Sequence, residues 1–116
     1  MRQRRTVAFS ETDASGRAHF TSILKWAEDA EHHQLRQMGL AVHDGTVAWP
    51  RVRVECDYFK PVQAGDEVEI EIEIAKKGRS SLTWAFSVEH EGARIATGKI
   101  VTVYLEEGQS AALPFD

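Results

Sequence analysis

Cysteine occurs once, at Cys56, so no internal disulfide can form, and with 3 prolines among 116 residues nothing points to a disulfide-stapled or proline-rich chain. No run of about eighteen apolar residues exists, which excludes a membrane-spanning helix; the richest stretch, Ile100 to Leu105, is strand-length. A basic excess is also missing. Fourteen Lys and Arg against eighteen Asp and Glu give a formal net charge of −4, which argues against nucleic acid as a partner. The polar start Met1–Thr6 is not followed by the apolar run of a signal peptide, and together with the lone cysteine this predicts a cytoplasmic protein. What is present is ordinary globular composition, 42% hydrophobic and 28% charged, with no repeat, low-complexity tract or linker. One domain is expected across residues 1–116.

The periodicities predict one helix and about five strands. Thr6–Ser10 reads as a short strand, closed by the turn-forming stretch Glu11 to Gly16, and the arginines at 2, 4 and 5 read as a solvated N-terminus. From Phe20 to Met38 the residues Phe20, Ile23, Leu24, Trp26, Ala27, Ala30, Leu35 and Met38 share half of a helical wheel. Gly39 is placed to end that helix in the left-handed conformation, with Leu40 folding back on Leu35. Glu31 falls inside the apolar arc and Glu28 at its edge, odd places for carboxylates unless the helix meets a polar cavity or another subunit there. Beyond the helix the period becomes two. Val52, Val54, Cys56 and Tyr58 alternate with charges, then Val68 to Ile74 with glutamates, then Leu82, Trp84, Phe86 and Val88, and a return strand runs from Ala93 to Leu105. Consecutive hairpins imply an antiparallel sheet, and one helix against five strands leaves an edge uncovered that a second copy would close.

Four stretches together carry a resemblance: Val7 to Phe20 with its Thr-Asp-Ala-x-Gly, the helix start through Glu28, Tyr58-Phe-Lys-Pro61 with Gly65-Asp66, and Lys77-Gly-Arg-Ser80. From about residue 5 to residue 105 the chain resembles the 4-hydroxybenzoyl-CoA thioesterase family of hotdog-fold enzymes. The resemblance implies an α+β hotdog fold, one long helix wrapped by a curved five-stranded antiparallel sheet.

It also implies roles. The aspartate matching Asp13 attacks the thioester carbonyl or activates the attacking water, and the N–H of Phe20 holds the oxyanion at the helix N-terminus, a place that favours negative charge in any helix. Gly16 allows a turn that brings the backbone close to the substrate. Some relatives carry a histidine at the helix start, but it would fall at Phe20, so His19 is displaced by one residue. Glu28 is the rival acid, since another branch of hotdog thioesterases places its carboxylate on the helix nine residues after a histidine, as His19 and Glu28 are spaced; the usual His-Gly-Gly is absent. Lys76, Lys77, Arg79 and Ser80 cluster at a hairpin that lies near the nucleotide end of the ligand in the family, and Arg79 has the planar fork suited to phosphate. Trp49, Tyr58, Trp84 and Phe86 read as core, and Cys56 as a small buried hydrophobe.

No His or Cys spacing resembles a metal site, with His32, His33, His43 and His90 scattered, so neither metal nor organic cofactor is expected. The expected activity is hydrolysis of a thioester of coenzyme A or acyl carrier protein by a homodimer or homotetramer. The alternatives are a hotdog hydratase, for which Asp13 and His19 could form an acid–base pair, and an acyl-CoA-binding module without catalysis.

Overall fold

The computed structural model describes residues 1–116. Strand β1 (Arg2–Thr6) is followed by a single 3-10 turn (Phe9–Glu11), helix α1 (Phe20–Gln37), and strands β2 (Val47–Ala48), β3 (Arg51–Tyr58), β4 (Glu67–Lys77), β5 (Ser81–His90), β6 (Ala93–Val103), β7 (Leu105–Glu106) and β8 (Gln109–Ser110). The main sheet has the antiparallel order β1-β4-β5-β6-β3, and a small sheet, not foreseen in the sequence, has the order β2-β7-β8. One helix against a five-stranded antiparallel sheet is the hotdog arrangement that the resemblance implies. No helix is long and apolar enough to cross a membrane.

The helix forms as its apolar arc predicts. Ile23, Trp26, Ala27, Ala30 and Leu35 are buried against Val68, Ile70, Ile72, Leu82, Trp84, Phe86 and Val88, the inward residues of β4 and β5. Its end is the expected cap: Gly39 has φ +78°, its N–H donates to Arg36 O at 2.9 Å, and Leu40 N–H reaches back to Leu35 O at 3.0 Å.

Three expectations are corrected. The first strand lies at Arg2–Thr6 rather than Thr6–Ser10, because the arginines are strand residues and not a solvated tail. Arg2 and Arg4 face outward onto the glutamates of β4, with Arg2 Nη2 at 2.8 Å from Glu71 and Arg4 Nε at 3.0 Å from Glu69, while Arg5 faces the helix. The return strand stops at Val103, where Tyr104 packs at a tilt against Trp49 and the chain turns into β7. Tyr58 is not core: it is 45% exposed, along with Val52 (62%) and Val54 (45%), because α1 packs over β4 and β5 and leaves β3 bare. Trp49, Trp84 and Phe86 are buried as expected, and Cys56 is half-buried.

Glu31 is fully buried. Arg51 of β3 reaches up to it, with Nη2 at 2.8 Å from Oε2, and Nη1 lies 3.2 Å from Glu28; Oε1 of Glu31 has no partner. Burial outweighs the arginine and pushes the Glu31 pKa up to about 7. A folded-state value above the ordinary 4.5 means that the group stabilises the fold at low pH, and that this contribution is lost as pH rises through about 7. Urea denaturation at pH 5 and pH 8 should therefore show the wild type losing about 2–3 kcal/mol relative to Glu31→Gln across that interval. A constant difference between the two proteins would contradict the raised value.

Candidate active site

The segment between the 3-10 turn and the helix is a small hairpin. Thr12 pairs with Ala18, Asp13 N–H donates to Arg17 O at 2.8 Å, and Gly16 N–H closes a tight turn onto Asp13 O at 3.0 Å. Gly16 has φ +82°, a conformation in which a side chain would be strained, so this turn requires the glycine. Within it, Asp13 Oδ1 accepts from Ser15 N–H at 2.8 Å and from the Ser15 hydroxyl at 2.5 Å. These bonds hold the Asp13 pKa below the usual carboxylate range, with a smaller contribution from the nearby His19, so the group is charged at neutral pH. Oδ2 is left without a protein partner.

Asp13 lines an open cleft of about 430 Å³ together with Arg17, Phe20, Ile23, Tyr58 and Pro61. The N-terminus of α1 enters the same cleft. His19 caps the helix, its Nδ1 accepting from Thr21 N–H at 3.1 Å and lying 2.7 Å from the Thr21 hydroxyl, and its ring stacks on Phe20. Thr21 N–H is thereby taken and Ser22 N–H donates to His19 O, whereas Phe20 N–H has no acceptor in the chain. The Tyr58 hydroxyl donates to Phe20 O at 3.0 Å and ties this end of the helix to β3.

The other sequence-predicted residues fall elsewhere. His19 is not among the residues lining the Asp13 cleft, and its Nδ1 is committed to the cap. Glu28 lies eight residues along α1, about 12 Å by helical rise, beside a separate small recess with Leu24, Arg51 and Val54. Lys77, Arg79 and Ser80 sit at the opposite end of the molecule. Lys77 covers the Phe115 ring beside Gln34 and Met38, Arg79 O accepts from Leu113 N–H, and Ser80 O accepts from Tyr104 N–H. Phe20 and Gln34 are separated by about 20 Å of helix, so within one chain the hairpin and Asp13 do not form one site.

Two residues at the site escaped the sequence reading. Tyr58 was indistinguishable from a core aromatic, since only the tertiary position of α1 decides that it stays open. Glu11 passed as a turn residue, yet its carboxylate accepts from Trp26 Nε1–H at 2.7 Å, from Arg5 Nη2 at 2.6 Å and from Ala8 N–H at 2.9 Å. The available signal was Trp26 itself, because a buried indole N–H needs an acceptor.

Residues 15–97 match the model of the thioesterase superfamily. The 1,4-dihydroxy-2-naphthoyl-CoA hydrolase of Prochlorococcus marinus (strain NATL2A) is 32% identical over 108 residues, covering 84% of this chain and 70% of that relative. A thioesterase from Thermus thermophilus, solved in complex with coenzyme A and Zn, is 32% identical with a TM-score of 0.88 over 97% of this chain and 84% of its own. A hypothetical protein from Aquifex aeolicus, 25% identical, reaches a TM-score of 0.92 over 98% of this chain and 93% of its own. With more than half of its length matched by the family model, the chain belongs to the thioesterase superfamily.

Proposed function

We propose that this chain, acting as one domain over residues 1–116, hydrolyses an acyl-CoA thioester to coenzyme A and a carboxylic acid. The observation that carries this reading is the pairing of an ionised Asp13, with Oδ2 free, and an unpaired Phe20 N–H on one cleft. The thioester carbonyl oxygen takes the Phe20 N–H and the positive end of the helix dipole, which stabilise the charge that develops on it. Asp13 then either removes a proton from the attacking water or attacks the carbonyl carbon itself, giving an anhydride that water opens. In both routes the thiolate of coenzyme A leaves. The step needs no metal or organic cofactor. The relatives support the substrate class, and the exposed rings of Phe20, Tyr58 and Phe59 favour an aromatic acyl group.

Thiol release from a panel of aromatic, short and long acyl-CoAs tests the reading. Asp13→Asn should lower kcat by roughly 100-fold or more, because the amide keeps the turn but loses the charge. Glu28→Gln, measured alongside, should stay within about 10-fold of wild type, as befits a carboxylate engaged with Arg51 in another recess. Loss of turnover in Glu28→Gln alone would transfer the catalytic role to the helix. Under this reading His19 orients the capped helix end and Gly16 shapes the turn.

Lys77, Arg79 and Ser80 serve the carrier end of the thioester, whether coenzyme A or acyl carrier protein. Arg79 has no ion-pair partner in the chain and can grip a phosphate with two donors. Arg79→Glu should raise KM for acyl-CoA about 5-fold or more with kcat within about 2-fold; a kcat effect with unchanged KM would remove the hairpin from binding.

The protein acts as a homo-oligomer built on β3. Of the two sheet edges, β1 carries the outward arginines already paired with β4, which discourages further strand pairing, whereas β3 presents Val52, Val54 and Tyr58 to solvent. The hairpin that serves this cleft is then that of a second copy, since the chain's own lies about 20 Å away along the helix. Val54→Asp should shift the mass measured by light scattering to that of a monomer; an unchanged mass would place the interface elsewhere. A cytoplasmic setting suits the single free thiol of Cys56.

A further inference from the structure

We propose that Glu11 is a positioning residue for the reaction, holding the Asp13 loop and the Phe20 end of α1 in one fixed relation. This rests on the thioesterase reading above and deepens it. Five donors converge on this residue. Its largely buried carboxylate takes Trp26 Nε1–H and Arg5 Nη2 on Oε2 and Ala8 N–H on Oε1, while its backbone carbonyl takes His19 N–H at 2.8 Å and the Ser22 hydroxyl at 2.9 Å. Those donors come from β1, from the chain leading into the 3-10 turn, and from the cap and first two turns of α1.

The seven residues 12–18 therefore form a loop with both ends fastened at Glu11: it leaves from the residue itself and returns through the His19 N–H to its carbonyl. Asp13 stands two residues after the fastening point, and Phe20 one residue after the return. The carboxylate, by tying Glu11 to Trp26, Arg5 and Ala8, holds in place the residue from which this loop hangs, and so sets where the nucleophile or base stands relative to the oxyanion donor without touching substrate. An ionised carboxylate suits this place because all three groups aimed at it are donors and it offers only acceptors; an amide would turn an N–H₂ toward one of them. Arg5 cannot replace it, being itself held by Glu11, lying 5.3 Å from the Trp26 ring and reaching Asp29 only at 3.4 Å.

The experiment compares steady-state hydrolysis of an acyl-CoA by wild type, Asp13→Asn, Glu11→Gln, Trp26→Phe and the Glu11→Gln/Trp26→Phe double variant, with melting curves for each. Misplacing the carboxylate by about 1 Å is expected to lower kcat in Glu11→Gln by tens of fold, with KM within about 3-fold. Trp26→Phe removes a single donor and should lower kcat in the same direction, and the double variant should be no worse than Glu11→Gln alone, since both cut one connection. Should Glu11→Gln fail to fold, Trp26→Phe carries the test, with an unchanged kcat counting against the proposal. A wild type that releases no thiol, or an Asp13→Asn that keeps full activity, would overturn the thioesterase reading and this proposal with it. An active wild type beside a Glu11→Gln that melts early but retains its kcat would overturn this proposal alone and leave Glu11 a purely structural anchor.

Discussion

A helix of 18 residues is about 27 Å long but only about 10 Å wide, while five strands spaced about 4.8 Å apart make a face roughly 20 Å across. One helix therefore covers about half of the sheet. Here it covers β4 and β5, whose inward residues from Val68 to Ile72 and from Leu82 to Val88 are buried, and the uncovered half falls on β3. The open apolar strip of Val54 and Tyr58, the cleft at the start of α1 and the bare sheet edge all follow from this mismatch of widths. A second helix, or a longer N-terminal segment laid across β3, would remove all three together.

The same geometry sorts the carboxylates. Asp13 stands on a loop beside water, with Ser15 donating to its charged form, and its pKa falls. Glu31 stands under the helix with one oxygen unpartnered, and its pKa climbs to about 7 in spite of Arg51. Glu28 is held by the same arginine at the edge between them. Asp13 is thus ionised and open to a cleft where a substrate can reach it, whereas Glu31 has no solvent exposure at all. Arg51 has a second consequence: reaching from β3 to α1, it fastens the uncovered strand to the helix that does not cover it.

Elements that depend on local periodicity were legible in the sequence. The apolar arc from Phe20, the cap at Gly39 and the alternation of β4 and β5 each appear where the pattern places them, whereas in β3 a bulge between Arg51 and Arg53 breaks the alternation and turns Arg51 toward the helix. The first strand was misplaced because Arg2, Arg4 and Arg5 look like a polar tail until β4 is known to supply Glu69 and Glu71 opposite them. The small sheet joins residues some sixty apart through two-residue pairings, too short to leave a pattern. At the site, the Asp13 turn and the helix start were readable as a contiguous stretch of chain. Glu11 with Trp26, and Tyr58 with Phe20, were not, because those bonds join elements whose apposition only the packed core defines. Gly98 shows the same limit from the core side: a side chain there would collide with the Glu55 carbonyl and the Phe86 ring, and nothing in its neighbourhood of sequence says so.

Asp13 also removes an apparent choice between a turn residue and a chemical one. A carboxylate has two oxygens, and this turn uses one. Oδ1 closes the turn onto Ser15, and those bonds favour the ionised form, which is the form a base or nucleophile requires. Oδ2 accepts no hydrogen bond, on a residue that lines the cleft and belongs to a loop whose ends are fastened. The turn therefore supplies both the charge and the orientation that the chemistry needs. An aspartate suits this double use better than a glutamate, since the shorter side chain reaches its own backbone two residues on and is fixed by doing so.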